Sequence, residues 1–201
     1  MIRLHLADRF DTGAFADLFS PPGEKRAYKL FKRRDQNGLP DPHQKDHELM
    51  RRAICDSEIA AYRLLQSHPH LAHHAPQFFG HAPVTDVLDS EGRSIKDDYL
   101  LDCCYCMSHI QGRAEKVSGG REKLPHAASL LREFEQVGIS YVRDCSAFFL
   151  CDPVHICLID FGIEDRHGQL SEEIAMNGKL SEKQMARWSR PLGDSPRAAS
   201  G

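Results

Sequence analysis

The sequence predicts an α+β fold laid out in two parts. Three observations predict it. Strand-like stretches flank one long segment of helical periodicity in the first half. A second helical segment, closed by a glycine, opens the second half. A short apolar strand then ends on an acid, an aromatic residue and a glycine, Asp160-Phe161-Gly162.

Residues 1–34 read as strands, with Phe10, Phe15, Leu18 and Phe19 supplying apolar positions around "DTGAF". "SPPGEK" (20–25) is a Pro/Gly turn between two strands. "RAYKLFK" (26–32) alternates, with Ala27 and Lys29 on one face and Tyr28 and Leu30 on the other. "RRDQNGLPDPHQ" reads as a loop. Residues 45–67 read as one helix, because Leu49, Ala53, Ile54, Ile59, Ala60, Ala61, Tyr62 and Leu65 fall at helical spacing. Pro69 and Pro76 in "SHPHLAHHAP" end it.

"QFFGHAPVTDVLD" (77–89) and "YLLDCCYCMSHI" (99–110) read as two strands joined through "SEGRS". "LPHAASLLREFEQVG" (124–138) reads as a helix, with Pro125 in its first turn and Gly138 at its end. "ISYVRDCSAFFLCD" follows. Val154, Ile156, Leu158 and Ile159 then form a short buried strand that runs into Asp160. A carboxylate there is either a structural cap or turn, or a metal ligand aimed into a cleft. A further helix is expected near 171–188, and "RPLGDSPRAASG" is expected to be disordered.

A chain of 201 residues can hold one good core or two small lobes. The net charge of −3 gives no reason to expect nucleic acid or an anionic membrane as the main partner. No apolar run reaches transmembrane length, and "MIRLHLADRF" lacks a signal-peptide core, so a cytoplasmic protein is expected. Its seven cysteines are then read as thiols. In an extended strand Cys104 and Cys106 share one face and Cys103 takes the other, which suits small buried thiols better than a zinc knuckle. His68, His70, His73, His74 and His81 read as solvated or capping residues. The basic run of Lys116, Arg121 and Lys123 reads as a solvated loop. Cys145 with His155 lacks the positioned base and oxyanion hole of a nucleophilic site.

Four motifs stand in a fixed order: "AYKLFK", "DSEIAAYRLLQSHPHL", "YCMSHIQG" and "LIDFG". In that order the chain resembles the protein-kinase-like superfamily, over roughly residues 8–165. The resemblance implies a kinase-like fold: an N-lobe of antiparallel sheet and one long helix (1–110), a short truncated C-lobe (111–190) and a tail (191–201). It implies that Lys29 contacts nucleotide phosphates and that Glu58 pairs with Lys29 to orient it. Met107 would take the gatekeeper place, with Ser108, His109 and Ile110 as the hinge that meets adenine. Asp160 would hold Mg²⁺ against the phosphates, Phe161 would pack under the helix bearing Glu58, and Gly162 would let the backbone turn. Read singly, Lys29 is a solvent-facing strand lysine and Glu58 a surface glutamate on an amphipathic helix.

The chain departs from the family pattern in three places. "DTGAFADLF" keeps Gly13 and the tip aromatic Phe15, but Asp11 stands at the first glycine position and Ala16 at the third. Glycines let backbone N–H groups approach phosphate, so weaker nucleotide affinity or a different loop pose is expected. In the catalytic loop the base position falls on Arg143 by one count and on Asp144 by another. The second metal-binding position falls on Phe148, and 139–152 contain neither Asn nor Gln. Finally, 163–201 are short for a peptide-binding lobe. In its "MIRL" start, its length and its irregular catalytic loop the chain is similar to the kinase-like family assigned to the PhoP regulatory network.

Two functions follow from the resemblance. One is a phosphotransferase that binds Mg-ATP and uses Asp144 as base toward a protein or small-molecule hydroxyl. The other is a pseudokinase-type module that acts through a protein partner. A third reading is an unrelated α+β protein, in which Lys29, Glu58 and Asp160 would not converge.

Overall fold

The computed structural model of the protein describes residues 2–33, 44–117, 127–141, 146–151 and 155–163. Loop 34–43, the helix expected near 171–188, the tail, and the catalytic-loop residues Arg143 and Asp144 lie outside the described residues.

The described chain is α+β, with antiparallel sheets and one long helix. The first strands are β1 (Ile2–His5), β2 (Arg9–Thr12), β3 (Ala16–Phe19) and β4 (Arg26–Lys32). The helix α1 (Gln44–Gln66) follows, then a single turn α2 (Pro69–Ala72) with Pro69 in its first turn, where a missing N–H costs nothing. Next come β5 (Phe78–His81), β6 (Val84–Leu88) and β7 (Tyr99–Ser108). The remainder comprises β8 (Arg113–Lys116), α3 (Ala127–Gln136), β9 (Ile139–Tyr141), β10 (Ala147–Leu150), β11 (Ile156–Ile159) and β12 (Phe161–Ile163).

Five strands form an antiparallel sheet in the order β2-β3-β4-β7-β5. The period-two pattern of β4 sorts its side chains between two cores. Ala27 and Phe31 join the cluster under α1, while Tyr28 and Leu30 join a second cluster with Leu4, Val84 and Val87. The cysteines of β7 divide the same way, Cys103 into the first cluster and Cys104 and Cys106 into the second.

α1 is helical because Met50, Ala53, Ile54, Ala61, Tyr62 and Leu65 recur on one face and are all buried. That face meets β7 on one side and β12 on the other. Phe134 of α3, Phe148 of β10 and Phe161 of β12 join the same cluster, so one continuous core runs from the sheet to the second half. Each fully buried aromatic there contributes about 1.5–3 kcal/mol by leaving water. No helix among the described residues is long and apolar enough to cross a membrane.

The stretch 77–89 is two strands, not one. The break falls at Ala82-Pro83, where proline cannot donate to a ladder. β5 stays beside β7, and β6 leaves to pair parallel with β1.

Candidate functional site

Three elements meet at Lys29. β4 carries it on the face toward α1, between Leu18 of β3 and Tyr105 of β7 in register. Its Nζ donates to Glu58 Oε1 of α1 at 2.9 Å and to Asp160 Oδ1 at 2.6 Å. Tyr105 Oη donates to the other Glu58 oxygen, Oε2, at 2.7 Å. Both Glu58 oxygens therefore hold protein partners. Lys29 and Glu58 are buried, whereas the Asp160 side chain is 38% exposed and forms the open side of the trio.

Burial pushes the Lys29 ammonium down, but the charges of Asp160 and Glu58 more than offset it, so its pKa lies well above the usual lysine range. Burial pushes the Glu58 carboxyl up. The Lys29 charge opposes this, and the Asp160 charge adds to it, leaving Glu58 raised. Two carboxylates share one ammonium, so the cation is held tightly.

Asp160 is placed by backbone geometry. It sits between β11 and β12 with φ of 56°, the one positive value among the described non-glycine residues, a conformation that aspartate tolerates better than most. Ser146 Oγ donates to its C=O. The reversal expected at Gly162 thus occurs at Asp160, and Gly162 lies within β12. Its lack of a side chain serves close approach, because a Cβ there would fall 2.5 Å from Ser57 Oγ. Ser57 Oγ in turn donates to Ile163 C=O. Phe161 packs against Tyr62 of α1 at 4.8 Å between ring centroids and against Phe134 at 6.0 Å.

A cavity of about 270 Å³ opens at the trio, lined by Lys29, Glu58 and Asp160 together with Asp11 of β2 and Gly13 and Phe15 of the β2–β3 turn. The turn is anchored from beneath. Gly13 N–H donates to Ala16 C=O at 2.9 Å, and Lys32 Nζ donates to Gly13 C=O. Lys32 also faces the buried Asp17 at 3.5 Å. Asp17 accepts from Thr12 Oγ1 at 2.6 Å, Tyr99 Oη at 2.8 Å and Arg9 at 3.2 Å. Burial alone would raise Asp17, but the Thr12 and Tyr99 hydrogen bonds and the Lys32 charge hold it below the usual carboxylate range.

The expected hinge residues do not line this cavity. Met107 is buried, with its sulfur 3.4 Å from Tyr62 Oη. Ser108 N–H donates to Gln77 C=O at 2.8 Å, and His109 N–H donates to Lys25 C=O at 3.1 Å. The His109 ring stacks on Phe10 at 4.4 Å. Two N–H groups expected to meet a base are thus committed to protein carbonyls.

Four residues of the site went unread in the sequence. Tyr105 reaches Glu58 only because β7 pairs with β4 in this register. Lys116, expected in a solvated loop, ends β8 and lines the cavity with Ser140 and Tyr141 of β9. Neighbouring residues carry no signal for such placements. Chemically, the site offers a fixed ammonium and a half-exposed carboxylate to one small cavity, which suits an anion accompanied by a cation. No protein-family model matches this chain, and no curated protein matches it.

Proposed function

We propose that the protein is kinase-like and binds Mg-ATP between the β2–β3 turn and Asp160, as a phosphotransferase with a degenerate catalytic loop. The observation that supports this reading is the convergence on Lys29 of Glu58 and Asp160, from a helix and from a turn 131 residues away along the chain. A lysine kept protonated by two acids is a fixed positive charge for phosphate oxygens. Glu58, held by Tyr105, orients that charge.

The residues fit a magnesium ion that arrives with phosphates. Mg²⁺ is bound through one or two carboxylates plus phosphate oxygens and waters. Asp160 is the partly exposed carboxylate that would hold it, whereas Glu58 has both oxygens committed to protein donors. The ion would supply charge neutralisation at the phosphates. Gly13 and Phe15 line the same cavity. Asp144 is the base in this reading, and the acceptor is a protein or small-molecule hydroxyl.

One observation favours a second reading, a pseudokinase-type regulatory module that acts through a protein partner. Asp11 adds a carboxylate to the cavity wall. It would repel phosphate.

Titration calorimetry with ATP, with and without Mg²⁺, tests the proposal on the wild type, Lys29→Ala and Asp160→Asn. Binding that needs Mg²⁺ and is lost in both variants is expected. No binding by the wild type at millimolar ATP sinks the nucleotide reading. Binding without turnover, unchanged by Asp144→Asn, selects the regulatory module.

A further inference from the structure

The hairpin that carries Asp160 brings two thiols together. β10 and β11 pair with Phe149 opposite Cys157 and Leu150 opposite Ile156. Just beyond, Cys151 N–H donates to His155 C=O at 2.9 Å. This register sets Cys151 and Cys157 on a diagonal across the hairpin, with sulfurs 3.5 Å apart. Cys151 is exposed and Cys157 is buried. A disulfide bond is about 2.05 Å long, so closure from 3.5 Å needs a movement of about 1.5 Å.

The His155 ring flanks the pair. Its Nε2 lies 2.6 Å from His73 C=O and 3.5 Å from Cys157 Sγ. A carbonyl only accepts, so Nε2 carries the proton. Cys157 Sγ also lies 3.8 Å from the same His73 carbonyl, so the ring and the thiol share one acceptor. No group of three or more His, Cys, Asp or Glu among the described residues could hold a metal ion.

We propose that Cys151 and Cys157 form a thiol–disulfide exchange site whose co-reactant is a small disulfide such as oxidised glutathione. The exposed Cys151 thiolate attacks one sulfur of the small disulfide. That S–S bond breaks, one small thiolate leaves, and Cys151 holds a mixed disulfide. The Cys157 thiolate then attacks Cys151 Sγ. The mixed S–S bond breaks, the second small thiolate leaves, and the Cys151–Cys157 bond forms. The two departing thiolates take up the two protons released by the cysteines. The protein dithiol is oxidised and the small disulfide is reduced to two thiols. In a reducing compartment the pair rests as thiols and oxidises transiently. Cys157 lies on the strand that leads into Asp160, so the site sits beside the cleft without depending on what the cleft binds.

The test is to treat the reduced full-length chain with oxidised glutathione, alkylate it and map peptides by mass spectrometry. The wild type should lose two titratable thiols and yield a Cys151–Cys157 cross-linked peptide that a dithiol reverses. Cys157→Ser should stop at a Cys151–glutathione adduct, and Cys151→Ser should lose the cross-link. Circular dichroism verifies folding, with Cys→Ala replacements as the second pair should a serine variant unfold. A wild-type adduct that persists on Cys151 without cross-linking overturns the proposal, and so does a cross-link from Cys151 to Cys145.

Discussion

Tyr105 Oη donates to Glu58 Oε2 at 2.7 Å, which holds from behind the carboxylate that meets Lys29 in front. Tyr105 and Lys29 are themselves cross-strand partners on β7 and β4, so the support and the cation are fixed by one register. Tyr105→Phe keeps the ring and removes only the donor. It should cost about 1–3 kcal/mol, because a buried carboxylate oxygen loses its hydrogen bond. Urea denaturation beside the wild type measures this, and an unchanged midpoint would show that the hydroxyl does not hold Glu58.

Removing the cation should be more damaging, and in a pH-dependent way. Lys29→Met leaves Glu58 buried without its ammonium, a loss of about 3 kcal/mol at neutral pH. Glu58 already has a raised pKa, chiefly from burial, and without the Lys29 charge it rises further. An acid whose folded pKa is raised contributes stability that is full below its unfolded value, near 4.5, and is lost as pH rises through the folded value. The Lys29→Met penalty should therefore grow as pH rises above about 4.5 and shrink below it. Adding Glu58→Gln should recover part of the neutral-pH loss. A penalty independent of pH would show that Glu58 is not the group left uncompensated.

Asp17 behaves with the opposite sign. Its pKa is held below 3.8, against burial, by Thr12, Tyr99 and Lys32. Its contribution is full above 3.8 and is lost as pH falls through the lower folded value. Asp17→Asn should flatten the acid limb of the stability profile. At neutral pH it should cost about 3 kcal/mol, because Lys32 stays buried without its carboxylate. Thermal melts across an acid pH series read both effects, and an unaltered acid limb would count against the network.

The close approach at Gly162 predicts a specific rescue. Gly162→Ala would drive a Cβ to 2.5 Å from Ser57 Oγ, and Ser57 is held by its bond to Ile163 C=O. A loss of about 1–3 kcal/mol is expected. Ser57→Ala in the same chain removes the obstructing oxygen, so the double variant should lose less than the sum of the two single variants. Additive losses in a double-mutant cycle would show that the two positions do not touch.

Much of the architecture was legible in the chain. The alternation of "RAYKLFK" sorted Ala27 from Tyr28 and Leu30, and the spacing of Ile54, Ala61 and Leu65 marked the buried face of α1. Cys104 and Cys106 fell on one face of β7 and Cys103 on the other. These are local properties, set by the geometry of neighbouring residues and by burial of one face. Lys29, Glu58 and Asp160 could be singled out as residue types at suggestive positions.

Only the tertiary structure decided what those residues do together. The pairing of Lys29 with Tyr105 is a matter of register, and register depends on how whole strands dock. The meeting of Lys29 with Asp160 joins positions 131 residues apart. The positive φ at Asp160, the role of Gly162 against Ser57, and the commitment of Ser108 and His109 to protein carbonyls all arise from non-local packing. So does the break at Ala82-Pro83, where the proline marks a stop but the parallel docking of β6 on β1 belongs to the fold. Periodicity records which face is buried, and it carries no information about which distant surface buries it.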